Sequence, residues 1–171
     1  MAVLVFDQPS SIRIVKKDES SAWQKSEEEL FAIALENTVQ KINPEVASEP
    51  VENDFITLIT SDHILTAASV LRLNRFPECI GMHGSMVAIP NRGTIMCYPI
   101  NDLGVVKMAS LYMTFVPRWH AEGPGSLSPR IYWYKDGLFT DLPYRVEENE
   151  LRFSLPQSFV EVLNQLSEPK T

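Results

Sequence analysis

Two hairpin signatures limit the fold more than any other feature of this chain. Met86, Val87 and Ile89 precede Pro90-Asn91-Arg92-Gly93, and Thr94, Ile95, Met96, Cys97 and Tyr98 follow it. Ile131, Tyr132, Trp133 and Tyr134 precede Asp136-Gly137, and Leu138-Phe139 follow it. Tight turns of this kind join antiparallel strands, because a parallel pair needs a crossover of a dozen residues or more. Gly93 is expected to take the left-handed conformation that other residues resist. Asp-Gly is a strong two-residue turn signal.

Helices are marked between and around these hairpins. Ser26 followed by Glu29 reads as a capping box, and Leu30, Phe31, Ala34, Leu35 and Thr38 then recur at helical spacing until Asn43-Pro44. Ser61-Asp62 reads as the cap of a second helix, Ile64 to Leu73, with Leu65, Ala68, Val70 and Leu71 mostly buried. A third is expected over Leu103 to Val116, before a long loop from Arg118 to Pro129. Pro156 opens a last helix carrying Phe159, Val160, Leu163 and Leu166. Further strands are expected at Ile12–Val15, Phe55–Thr60, Tyr144–Val146 and Leu151–Leu155, with Glu45 to Asn53 an edge strand or loop. The expectation is one α+β domain over residues 1–171: a mainly antiparallel sheet built from hairpins, with about four helices packed on it.

Composition narrows the function classes. Fifteen basic residues against 22 acidic ones give a net charge of −7, and Lys16-Lys17 is the only contiguous basic pair. Nucleic acid is therefore not an expected partner, since phosphate neutralisation needs clustered Lys and Arg. No apolar run approaches the roughly 18–20 residues of a membrane span, and the segment Met1 to Phe6 lacks the basic start of a signal peptide. A cytoplasmic protein with reduced Cys79 and Cys97 is the resulting expectation. Two cysteines without a CxxC, and no HExxH or paired-histidine spacing, predict no metal site. No glycine loop matches a nucleotide fingerprint, so no cofactor is expected.

Several segments together resemble a known family. The helix Leu30-Phe31-Ala32-Ile33-Ala34-Leu35-Glu36-Asn37, the strand and helix over Asp54 to Leu73, the Val87-to-Gly93 hairpin and the ending from Leu127 to Leu166 are similar to the YtpQ-like bacterial proteins of unknown function. The hairpin of that family typically carries Pro-Ser-Arg-Asp, where this chain has Asn91 for the serine and Gly93 for the acidic residue. The resemblance implies a cytoplasmic α+β protein and transfers no chemistry.

Arg92 is the first candidate ligand-binding residue. A guanidinium at a turn tip suits bidentate contact with a carboxylate or phosphate, and the alternative is a solvated turn residue. His83, in Gly81-Met82-His83-Gly84, and His120, near Glu122, are candidate partners of Arg92 in acid–base chemistry or anion binding. His63 reads as a cap neighbour. Ser85 lacks a nucleophile elbow, Cys97 points into the core by alternation, and Cys79 is expected to be the more accessible thiol. Trp119, Tyr132, Trp133 and Tyr134 are candidate interface residues. Alternation sends Tyr132 and Tyr134 to one sheet face and Trp133 to the other, so either one set lines a groove or a helix covers that side. These features predict a non-catalytic binding or adaptor module for an unknown protein or a small anionic ligand, with a homo-oligomer possible. The alternative is a hydrolase or transferase acting on a small anionic substrate, which requires Arg92, His83 and His120 to share a pocket.

Overall fold

Alternation along Asp54–Thr60 divides its residues between two cores. Ile56 faces one apolar cluster and Ile59 the other, as the two-residue period of a strand requires. A sheet with both faces covered follows, and a computed structural model of the chain shows it. The structure describes residues 3–8, 11–123, 125–147 and 150–167. The chain divides into two compact units, Met1–Lys41 and Ile42–Thr171.

In the first unit, β1 (Val5–Gln8) pairs antiparallel with β2 (Ser11–Ile14) and is followed by helices α1 (Lys17–Ser21) and α2 (Glu27–Lys41). The capping box forms as expected: Ser26 N–H donates to Glu29 Oε2 (2.7 Å), and Glu29 N–H donates to Ser26 Oγ (3.1 Å). Phe6 packs edge-on against Trp23, with the Arg13 guanidinium 4.5 Å from its ring centre.

The second unit is built on six antiparallel strands in the order β3-β4-β6-β5-β7-β8, comprising β3 (Glu45–Val51), β4 (Asp54–Thr60), β5 (Ser85–Asn91), β6 (Thr94–Pro99), β7 (Ile131–Lys135) and β8 (Leu138–Asp141). Both expected hairpins are present. Asp136 and Gly137 have φ of 50° and 83°, the pair of positive values that a type I′ turn requires. A separate ribbon joins β9 (Tyr144–Glu147) to β10 (Glu150–Phe153). One sheet face carries helix α3 (Gly104–Glu122), with α4 (Gln157–Ser167) in the same core, around Met86, Met96, Tyr112, Ile131, Trp133 and Phe159. The other face is covered by 3-10 segments at Thr66–Arg75 and Pro77–Cys79, around Ile59, Leu73, Val87, Ile95 and Tyr134.

Three local expectations are corrected. The second helix is a 3-10 segment, with a non-helical residue at Arg72. Its buried residues include Thr66, Ser69 and Leu73, while Leu71 is exposed. The spacing from Thr66 to Ser69 matches a three-residue turn better than an α-helical face. The third helix does not stop at Val116: it continues through Pro117 to Glu122, taking in the first part of the expected loop. Val116 and Trp119 pack into the core on either side of the proline, which holds the helix together where a ladder hydrogen bond is lost. Gly93 is not left-handed. Instead Asn91 builds the turn, its Oδ1 accepting the Gly93 N–H at 3.0 Å, the side-chain substitution for a backbone turn at which asparagine excels.

Candidate functional site

The hairpin tip is held by segments from both sides of the sheet. β5 shifts register against β6 between Ala88 and Asn91, which frees the carbonyls of Ile89 and Pro90 for other donors. The N–H groups of Ser128 and Leu127 take them, at 3.2 and 2.9 Å. At the turn, Arg92 N–H donates to the Gly125 carbonyl (3.1 Å), and the Arg92 carbonyl accepts from Ala67 N–H (2.9 Å). The Gly93 carbonyl accepts from Ser61 N–H. Arg92 is thus a backbone clamp between the loop after α3 and the start of the 3-10 cover.

Its side chain runs over Gly125. A methyl group added to that glycine would fall 2.7 Å from Arg92 Cδ and Nε, and Gly125 holds φ of +66°. Gly123 leaves the space filled by the Asn91 amide. In the sequence both glycines read only as part of the loop from Arg118 to Pro129. The Gly123-Pro124-Gly125 run was the available signal, but nothing local ties it to a hairpin some thirty residues earlier; Pro124 itself lies outside the described residues.

Beside the tip lies an open cleft of ≈ 490 Å³. Its lining comprises the carboxylate residues Glu45 and Asp62, the hydroxyl residues Thr60, Ser61 and Thr94, the amide residues Asn43 and Asn91, and Gly93. No lysine, arginine, histidine or cysteine is among these described lining residues. Ser61 Oγ accepts the His63 N–H (3.1 Å), and His63 Nδ1 accepts the Leu65 N–H (3.2 Å), so both serve the turn as caps. The set supplies hydrogen-bond donors and acceptors with negative charge.

The three candidate ligand residues do not converge. His120 lies in the last turn of α3, and its carbonyl accepts from Ser126 Oγ, whose residue bridges to Asn91. The segment carrying His120 therefore reaches the tip end of the sheet, near Arg92. His83 precedes β5, the seven-residue strand that ends beside Arg92, so the two are separated by on the order of 25 Å at the rise of an extended chain. His83 is used structurally, its carbonyl accepting Trp133 Nε1–H at 2.9 Å and its N–H donating to the Ile100 carbonyl.

The aromatic candidates face inward or pair across the sheet. Trp133 and Tyr134 are buried, Trp133 edge-on against Phe159 at 5.2 Å and Tyr134 against Phe139 at 4.8 Å. Trp119 packs at the margin of the α3 core. Tyr132 is half-buried, edge-on to Phe139, its hydroxyl 3.1 Å from Ser128 Oγ. Of the two arrangements open to this strand, the structure takes the one in which each face is covered.

The remaining nucleophiles are closed off. Ser85 is fully buried, and its hydroxyl donates to the Tyr98 carbonyl. Cys97 points into the core as alternation predicts, and Cys79, expected to be accessible, is equally buried. Among the described residues no group of three potential ligands forms a metal site, and no helix is long and apolar enough to cross a membrane. No family model, curated protein or solved structure matches the chain.

Proposed function

We propose that this chain is a cytoplasmic, non-catalytic binding module of the YtpQ-like kind, with the cleft at the hairpin tip as its ligand seat. The observation that carries the reading is the lining of that cleft, which joins Glu45 and Asp62 to three hydroxyl residues and two amides without a basic side chain. Such a surface recognises by hydrogen bonding, with a few convergent polar groups fixing orientation. Its charge favours a small hydroxylated amine over the anion that Arg92 first suggested. A carboxylate or phosphate entering there would meet two like charges, which cost binding energy. The cytoplasmic setting and the family likeness rest on the sequence motifs already described.

A ¹⁵N-resolved NMR titration tests the reading, using tris(hydroxymethyl)aminomethane as the amine probe and malate as the anionic one. The expected result is amide shifts for Thr60, Ser61, Asn91 and Gly93 with the amine, weakened at least tenfold by Asp62→Lys. Shifts produced by malate instead, or cleft amides unmoved by both probes at high millimolar concentration, would remove the cleft from consideration.

A further inference from the structure

Cys79 and Cys97 belong to different elements and meet on the face of the sheet covered by the 3-10 segments. Cys97 sits in the central strand β6, opposite Thr57 on β4 and Val87 on β5. Thr57 Oγ1 donates to the Glu78 carbonyl at 3.3 Å, and Glu78 immediately precedes Cys79 in the turn Pro77–Cys79. That bond seats the turn over the Thr57–Cys97 pair. Both thiols are free, fully buried and part of one apolar cluster, close enough for each to bear on the other's ionisation. A solitary buried cysteine behaves as a small hydrophobe. Two brought from separate elements into one buried cluster carry a chemistry that packing alone does not require.

We propose that Cys79 and Cys97 are a reversible dithiol, closing to an intramolecular disulfide that locks the 3-10 cover onto the sheet. The oxidant is a peroxide or another small two-electron acceptor. The Cys79 thiolate attacks a peroxide oxygen, giving a sulfenic acid and releasing one water. The Cys97 thiolate then attacks that sulfur, and the hydroxyl leaves with a proton as a second water. Two thiols and one hydrogen peroxide become one disulfide and two waters. The structure also sets the order. Cys79 lies on a three-residue turn that local opening can expose, whereas Cys97 is held in a central strand with neighbours on both sides. The neighbouring Cys79 and burial both hold the Cys97 thiol well above the ordinary cysteine range, in keeping with its place as the second thiol to react, once its partner is a sulfenic acid. The bond would brace more than the turn, because the same cover donates Ala67 N–H to the Arg92 carbonyl.

The test uses the full chain under native conditions. Hydrogen peroxide is added until Met82, 79 % exposed, is converted to its sulfoxide as an internal measure of dose. The chain is then unfolded in N-ethylmaleimide and analysed by peptide mass spectrometry. The expected result is no maleimide adduct, loss of two hydrogens and a linked peptide containing Cys79 and Cys97, all reversed by dithiothreitol. The oxidised chain should melt about 5 °C higher or more, as closing a short loop constrains the unfolded state. Cys79→Ala should take one adduct and show no oxidant-dependent change in melting. Two adducts at full Met82 oxidation, a sulfinic acid, or a disulfide between chains would each overturn the proposal. A linked peptide with a lowered melting point would overturn the lock. The wild-type mass measurement decides the chemistry even where the variant fails to fold.

Discussion

Two tyrosine hydroxyls in the same core have opposite circumstances. Tyr98 Oη donates to Asp54 Oδ2 at 2.6 Å, whereas Tyr112 Oη, fully buried, finds no hydrogen-bond partner among the described residues. Removing a satisfied bond to a charged acceptor costs more than removing an orphaned hydroxyl, whose desolvation is already unfavourable. Tyr98→Phe is therefore expected to lose about 1–2 kcal/mol in urea unfolding, and Tyr112→Phe to change by under about 0.5 kcal/mol or gain up to about 1 kcal/mol. A large loss at Tyr112→Phe would show that its hydroxyl is satisfied after all. Burial, then the bond to Asp54, raises the Tyr98 phenol well above its usual value, and burial does the same for Tyr112. For an acid with a raised folded pKa, the folded state retains the proton that the unfolded chain gives up. The stabilisation is thus complete below about pH 10 and is lost as pH rises above it. A stability profile from pH 8 to 11 should fall at its alkaline end, less steeply in Tyr98→Phe than in the wild type.

At the scale of elements, most strands and the first long helix were legible because each carries a local signal, whereas β1 (Val5–Gln8) is not among the expected strands. The capping box at Ser26 and the Asp136-Gly137 turn depend only on neighbouring residues, and both formed as expected. What was hidden depends on partners distant in sequence. Pro117 reads as a stop, yet α3 runs past it because Val116 and Trp119 pack into the core. The proline leaves the Met113 carbonyl without its ladder donor. Pro117→Ala is expected to restore that donor and stabilise the chain by about 1–3 kcal/mol, seen as a higher urea midpoint with unchanged slope. An unchanged or lower midpoint would mean that the proline's local geometry is needed to seat Trp119. The capping box adds an acid-side effect. Hydrogen bonds from the Ser26 N–H and hydroxyl lower the Glu29 carboxyl below its ordinary value, so this contribution is present above that value and fades as pH falls through the depressed one. Glu29→Gln, which removes the titrating carboxylate, should flatten the loss of α2 helicity in circular dichroism between about pH 5 and pH 3.

The second unit as a whole places a sheet between two unlike covers, α3 with α4 on one face and 3-10 segments on the other. Alternation in Ile131–Lys135 established that Trp133 and Tyr134 face opposite ways, but a strand's sequence cannot say whether its second face meets solvent or protein. That depends on the Thr66–Cys79 cover, whose spacing reads as an α-helix up to Leu73 but which forms 3-10 segments that bury Thr66, Ser69 and Leu73. The candidate site was obscured for the same reason. Its lining comes from the ends of β3, β4, β5 and β6 and the turns beside them. The β5–β6 hairpin is a sequence motif, but nothing local joins it to β3 and β4, while Arg92, conspicuous in the sequence, serves as a clamp. Burial on both faces makes Trp133 and Tyr132 a discriminating pair. Trp133→Ala removes a core ring, its edge-on contact with Phe159 and its bond to the His83 carbonyl, and is expected to cost about 3–5 kcal/mol. Tyr132→Ala, at a half-buried position near the sheet edge, should cost about 1–2 kcal/mol. Equilibrium unfolding of both variants separates the cases. A well-folded Trp133→Ala with near wild-type stability would return that side chain to the surface and reopen the aromatic strand as a recognition face.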